Sequence, residues 1–139
     1  MCSSDLTNVL TVTAGDAAGN TATTSLTVTL VTFAFADDPL TARSTVIKTA
    51  HIMELRAAID GVRVARGLAP FAWTDPALTS GVTPVKVVHL TELRASLNQA
   101  YQAAGRTSPA YTDPIVVAGQ TAIKAIHLNE LRSAVQAIQ

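Results

Sequence analysis

The sequence holds one cysteine in 139 residues, so neither a disulfide framework nor a cysteine-built zinc site is open to it. It has no surplus of either charge. Ten Lys and Arg stand against ten Asp and Glu, for a formal net charge of zero. A protein that binds nucleic acid by neutralising phosphates, or a membrane surface through a polybasic segment, needs a basic excess that is missing here. No apolar run approaches the roughly 18 residues of a membrane-spanning helix. The longest, Leu26 to Ala36, is interrupted by threonines. There is no Gly-rich phosphate loop, no nucleophile–base arrangement and no carboxylate pair at glycosidase spacing. These absences read as a chain that is not an enzyme, with no cofactor, no nucleic-acid partner and no membrane insertion. What it has is apolar mass: 48% hydrophobic residues against 14% charged, enough to bury a core.

All ten basic residues fall at or after Arg43, so composition shifts near residue 32. Before that shift, Leu10, Val12 and Ala14 alternate with threonines, and Leu26, Val28 and Leu30 do the same. A period of two in Thr and Val predicts two half-buried strands within residues 7–31. Between them Gly15, Asp16, Gly19 and Asn20 supply turn chemistry. The boundary is expected at Val31 to Ala34. The stretch from Val12 to Ala22 follows Val-x-Ala-x-Asp-x-Ala-Gly-Asn-x-Ala and resembles the closing hairpin of a bacterial immunoglobulin-like domain. That resemblance implies a truncated sandwich, since such a domain needs about seven strands. The alternative is a hairpin added to the helical part. Residues 1–6, Met1 to Leu6, look like the translation of a sequencing-adapter end, which would make Cys2 non-native.

After the shift the sequence repeats itself every 38 residues, without gaps over most of the unit. Phe35, Trp73 and Tyr111 are in register, as are Asp37, Asp75 and Asp113. Thr45, Thr83 and Thr121 follow, then Ile47, Val85 and Ile123, and Lys48, Lys86 and Lys124. His51, His89 and His127 come next, with Glu54, Glu92 and Glu130 three positions on. Leu55, Leu93 and Leu131 and then Arg56, Arg94 and Arg132 complete each block. The units are 35–72, 73–110 and 111–139. One helix is expected per unit. In the second, Thr83 would cap the N-terminus with Pro84 at the first helical position, and the helix would end at Ala104 before Gly105. Val85, Leu93, Leu97, Ala100 and Ala104 then form one face, with Thr91, Ala95, Asn98 and Gln102 opposite. Ile47, Leu55, Ile59 and Val62 repeat that face in the first unit, and Ile123, Leu131, Val135 and Ile138 in the third. One amphipathic helix cannot cover its own apolar face, and three copies can. The fold class expected is mainly α: a compact three-helix unit from three repeats, carrying an N-terminal antiparallel β-hairpin. Asp75 and Asp113 are read as caps of short turns beginning at Pro76 and Pro114, and the aromatic before each Asp as a core anchor.

The candidate site is a ridge. Lys48, His51 and Glu54 are spaced i, i+3, i+6, and Lys86, His89 and Glu92 and Lys124, His127 and Glu130 repeat it. Three readings stay open. Each His packs at a helix seam and donates to the loop Asp of a neighbouring unit or to a backbone carbonyl, with Lys and Glu paired on the rim. Alternatively His51, His89 and His127 converge as ligands of a zinc-type ion. Or the nine residues line grooves for a partner.

Ile123-Lys124-Ala125-Ile126-His127-Leu128-Asn129-Glu130-Leu131-Arg132 resembles the Ile-Lys-Ala-x-His-Leu-x-Glu-Leu-Arg repeats near the C-termini of long secreted bacterial proteins. The resemblance covers residues 35–139. It implies an exported parent, extracellular or at the cell surface, and a non-catalytic module docking to a cell-envelope polymer or a surface protein. The layout is also similar to S-layer homology modules, which come in threes and open on aromatic-x-Asp. The unit here is shorter, so their binding residues are not carried over.

Overall fold

The computed structural model describes residues 3–139, and side-chain surroundings are described for residues 10–25 and 34–139. Met1 and Cys2 of the adapter-like segment lie outside this range, as do the side chains of Leu26, Val28 and Leu30. The chain divides into two compact units between Ala34 and Phe35.

The first unit is an antiparallel hairpin. Strand β1 (Ser3–Gly15) pairs with β2 (Thr21–Phe33), from Ser3↔Phe33 to Gly15↔Thr21, so both strands outrun the expected 7–31. The turn is closed by Asp16, whose carboxylate accepts the Ala18 and Asn20 amides at 3.0 and 2.9 Å and the Asn20 side chain at 2.9 Å. Gly19 takes φ 88°, which only glycine adopts at little cost. Leu10 and Val12 are more than half exposed.

The second unit contains α1 (Thr49–Ala65), α2 (Val87–Ala103) and α3 (Ala125–Ile138), each in contact with the other two. The core lies where the expected faces meet. Leu55, Leu93 and Leu131 have no exposed surface, and Ile59, Leu97, Val135 and Ile138 are equally buried. The positions just before each repeated Glu-Leu-Arg block add Ile52, Leu90 and Leu128, also fully buried. The mainly α, three-helix fold with an N-terminal hairpin is therefore the one present.

The helices begin later than Thr83 and Pro84 suggest. The N-caps are Lys48, Lys86 and Lys124, all in extended backbone. Thr83 is occupied elsewhere: its hydroxyl accepts the Thr79 amide at 3.1 Å, and Thr45 and Thr121 close the same turn on Thr41 and Val117. Ile47, Val85, Ile123 and Ala104, expected in the core, are half-buried; so are Thr91 and Asn98, expected in water. The C-terminal ends match expectation. Gly67 and Gly105 take φ 76° and 68°, and the next residues return 2.9 Å bonds to Arg63 and Tyr101 carbonyls, closing the last turn. No helix forms at Pro76 or Pro114. Asp37, Asp75 and Asp113 instead take φ of 52°, 50° and 50°, a left-handed conformation that Asp tolerates better than most residues.

Candidate functional site

Each repeat brings its Asp, Lys and His together. His51 Nε2 lies 2.9 Å from Asp37 Oδ2, His89 3.0 Å from Asp75, and His127 3.0 Å from Asp113. The other ring nitrogen, Nδ1, accepts the amide of the N-cap lysine at 3.0, 3.0 and 3.1 Å. A nitrogen that accepts carries no proton, so the proton is on Nε2 and is donated to the Asp. The imidazole thus takes the part that Glu or Gln plays in a capping box. The lysine side chain offers no acceptor in return. Its carbonyl does, taking the His amide at 3.1, 3.0 and 3.1 Å. All three histidines are fully buried.

The Asp partner is the histidine's own repeat's, not a neighbour's. The lysines also pair with Asp rather than with Glu: Lys48, Lys86 and Lys124 Nζ lie 3.1, 3.0 and 2.7 Å from Asp37, Asp75 and Asp113. Bonds from His51 first and then Lys48 hold the Asp37 carboxyl below its ordinary range. For Asp75 and Asp113 the lysine is the larger cause and the histidine the second.

The glutamates hold the loop backbone instead. Glu54 accepts the Ala36 amide at 3.0 Å. Glu92 accepts the Thr74 amide and hydroxyl, and Glu130 those of Thr112. Two of them face arginines of other repeats: Arg56 stands 3.8 Å from Glu92 and Arg132 4.0 Å from Glu54.

The arginine that closes each repeated block reaches into another repeat. Arg56 on α1 donates to the carbonyls of Thr74 and Asp75 at 2.8 and 2.9 Å. Arg94 on α2 donates to Thr112 and Asp113, both at 2.8 Å. Arg132 on α3 donates to Ala36 and Asp37 of the first repeat at 2.8 and 3.3 Å. The grip therefore runs from the first unit to the second, to the third, and back to the first. Each guanidinium also lies 4.8–5.1 Å from the centre of the aromatic in the loop it holds: Trp73, Tyr111 and Phe35. The polar rings have their own partners. Trp73 Nε1 donates to Asp60 and Tyr111 Oη to Asn98, both at 2.9 Å, from equivalent helix positions. Burial lifts the Tyr111 phenol to about 12. The closing seam also carries bonds without a counterpart: Asn129 accepts the Leu40 amide at 3.0 Å and donates to its carbonyl at 2.8 Å, and Arg66 donates to the Ile138 carbonyl at 2.7 Å.

Of the nine ridge residues, the histidines and glutamates are thus drawn into the architecture, and the lysines alone remain largely in solvent. The zinc-type reading of His51, His89 and His127 finds no geometry: among the described residues no three His, Cys, Asp or Glu side chains cluster tightly enough to hold an ion. The repeated arginine was visible in the sequence as part of the block, but its partners lie 18 and 19 residues ahead and, for Arg132, at the far end of the repeats.

One surface feature went unforeseen. A depression of about 600 Å³ is lined by Ile47, Val85 and Ile123, the same position of all three repeats, with Val87, Val88 and Ala122. Among the described residues no helix is long and apolar enough to cross a membrane. In comparisons with known proteins, no family model, no curated protein and no solved structure matches the chain.

Proposed function

We propose that this chain is a non-catalytic docking module of a modular extracellular bacterial protein, and that its helical ring fastens the parent to a cell-envelope polymer or a surface protein. One observation carries the reading. The polar groups of the repeated block are spent on holding the ring together, and a concave surface left outside is the depression framed by Ile47, Val85 and Ile123. Such a surface suits contact with a partner rather than turnover of a substrate. The Ile-Lys-Ala-x-His-Leu-x-Glu-Leu-Arg repeat and the immunoglobulin-like hairpin motif support the secreted, surface-associated setting.

The test is retention of the full chain on isolated bacterial envelopes, compared with an Ile47→Asp/Ile123→Asp variant whose helix content is first shown unchanged. Retention of the parent sequence and its loss in the variant is the expected result. Equal retention of both, or of neither, would refute docking through this face.

A further inference from the structure

Every helix of the ring starts on an imidazole rather than on a hydroxyl or a carboxylate. A Ser or Asp cap has acceptor capacity to spare at neutral pH. The imidazole has a single lone pair on Nδ1, and that lone pair is also where it takes up a proton. In His51, His89 and His127 it is already committed to the amides of Lys48, Lys86 and Lys124. Proton and cap exclude one another.

We propose that the three histidines make the ring an acid-released clasp, in which protons compete with the lysine amides for Nδ1 and unseat the three helix starts together. The charged groups around each ring decide the direction. His51 faces Asp37 and Lys48, with Arg132 gripping the Asp37 carbonyl and Glu54 one turn on. His89 faces Asp75 and Lys86, with Arg56 on the Asp75 carbonyl and Glu92 one turn on. His127 faces Asp113 and Lys124, with Arg94 on the Asp113 carbonyl and Glu130 one turn on. The Asp would welcome an imidazolium, but its charge is already met by a lysine within 3.1 Å. Against that small gain stand three costs: a second N–H driven against the lysine amide, a cation at a helix N-terminus, and burial of that cation with no solvent access. The costs win.

The sign follows from linkage. In the unfolded chain the three Nδ1 lone pairs are open to protons, whereas in the ring each accepts a lysine amide. The unfolded state binds more protons, so stability falls as pH falls. Three sites allow the unfolding constant to rise by up to about a thousandfold per pH unit on acidification.

The experiment uses the full chain, with urea unfolding followed by helix ellipticity and by Trp73 fluorescence from pH 7.5 to 5. The control is H51Q/H89Q/H127Q, in which the amide oxygen can accept from the lysine and the amide nitrogen can donate to the Asp, with nothing to titrate. A steep loss in the parent sequence and a flat profile in the control are expected. A flat parent profile, or a control that keeps the slope, overturns the proposal. Should the control fail to fold, nitrogen NMR of the parent decides. Nδ1 protonation while the helices stay intact overturns it, whereas protonation that appears only as the helices melt upholds it.

Discussion

Arg132 offers the sharpest test of closure. In an open array the last repeat's arginine has no following loop to hold, and its truncation would cost little. In the ring it is 98% buried and donates to two backbone carbonyls of the first repeat, at 2.8 and 3.3 Å, over the Phe35 ring. Arg132→Ala strands both carbonyls. Bonds to a charged donor contribute about 1.5–3 kcal/mol each, and a carbonyl left without a partner costs about 1–3 kcal/mol. The desolvation cost that burying the guanidinium incurs is recovered when it is removed, which lowers the total. The net expectation is a loss of about 2–4 kcal/mol, similar to that of Arg94→Ala, whose two bonds are 2.8 Å. Urea denaturation followed by helix ellipticity reads all three single variants, Arg56→Ala included. Were Arg132→Ala to lie within about 0.5 kcal/mol of the parent sequence while the other two fell, the third-to-first seam would be broken in solution and the ring an open stack.

Other expectations are simpler. Leu93→Ala, at a position with no exposed surface, is expected to cost about 2–5 kcal/mol in the same titration; a loss below about 1 kcal/mol would misplace the core. Arg43 sits at φ 62° where its counterparts are Gly81 and Gly119 at 75°, so Arg43→Gly is expected to raise the melting temperature rather than lower it. Asp37, Asp75 and Asp113 titrate below their ordinary 3.8, so the stability they contribute is complete above that pH and drains away beneath it. D37N/D75N/D113N is therefore expected to start less stable at pH 7 and to show a shallower acid decline in thermal melts. For Tyr111 the sign reverses: its phenol is lifted from 10.0 to about 12, so stability is lost as pH climbs between those values. Tyr111→Phe should weaken that alkaline loss, and an unchanged alkaline profile would contradict the burial.

The helices and their apolar faces were legible because Leu93, Leu97 and Ala100 recur at helical spacing, as do Leu55, Ile59 and Val62 and again Leu131, Val135 and Ile138. The seams were not. A Lys-His-Glu spacing reads as a row on one helix, yet the lysine stands at the N-cap, off the row. The reading failed because Thr83 was credited with the cap, and a histidine serving as the acceptor leaves no familiar signature. Likewise Glu92 looked like a rim partner for lysine. Its amide and hydroxyl partners on Thr74 lie 18 residues back, beyond the reach of any local pattern. Trp73 with Asp60 and Tyr111 with Asn98 could have been noticed, since the polar ring and its acceptor change together from one repeat to the next.

A circuit in which the last member clasps the first has a fixed headcount. A fourth copy appended after Gln139 would find Arg132 already engaged and no vacant seat for its own arginine. It could enter only by prising the circuit apart and widening the space that Leu55, Leu93 and Leu131 now fill. Duplication within a longer chain would therefore add finished triplets, strung like beads, rather than lengthen one rod.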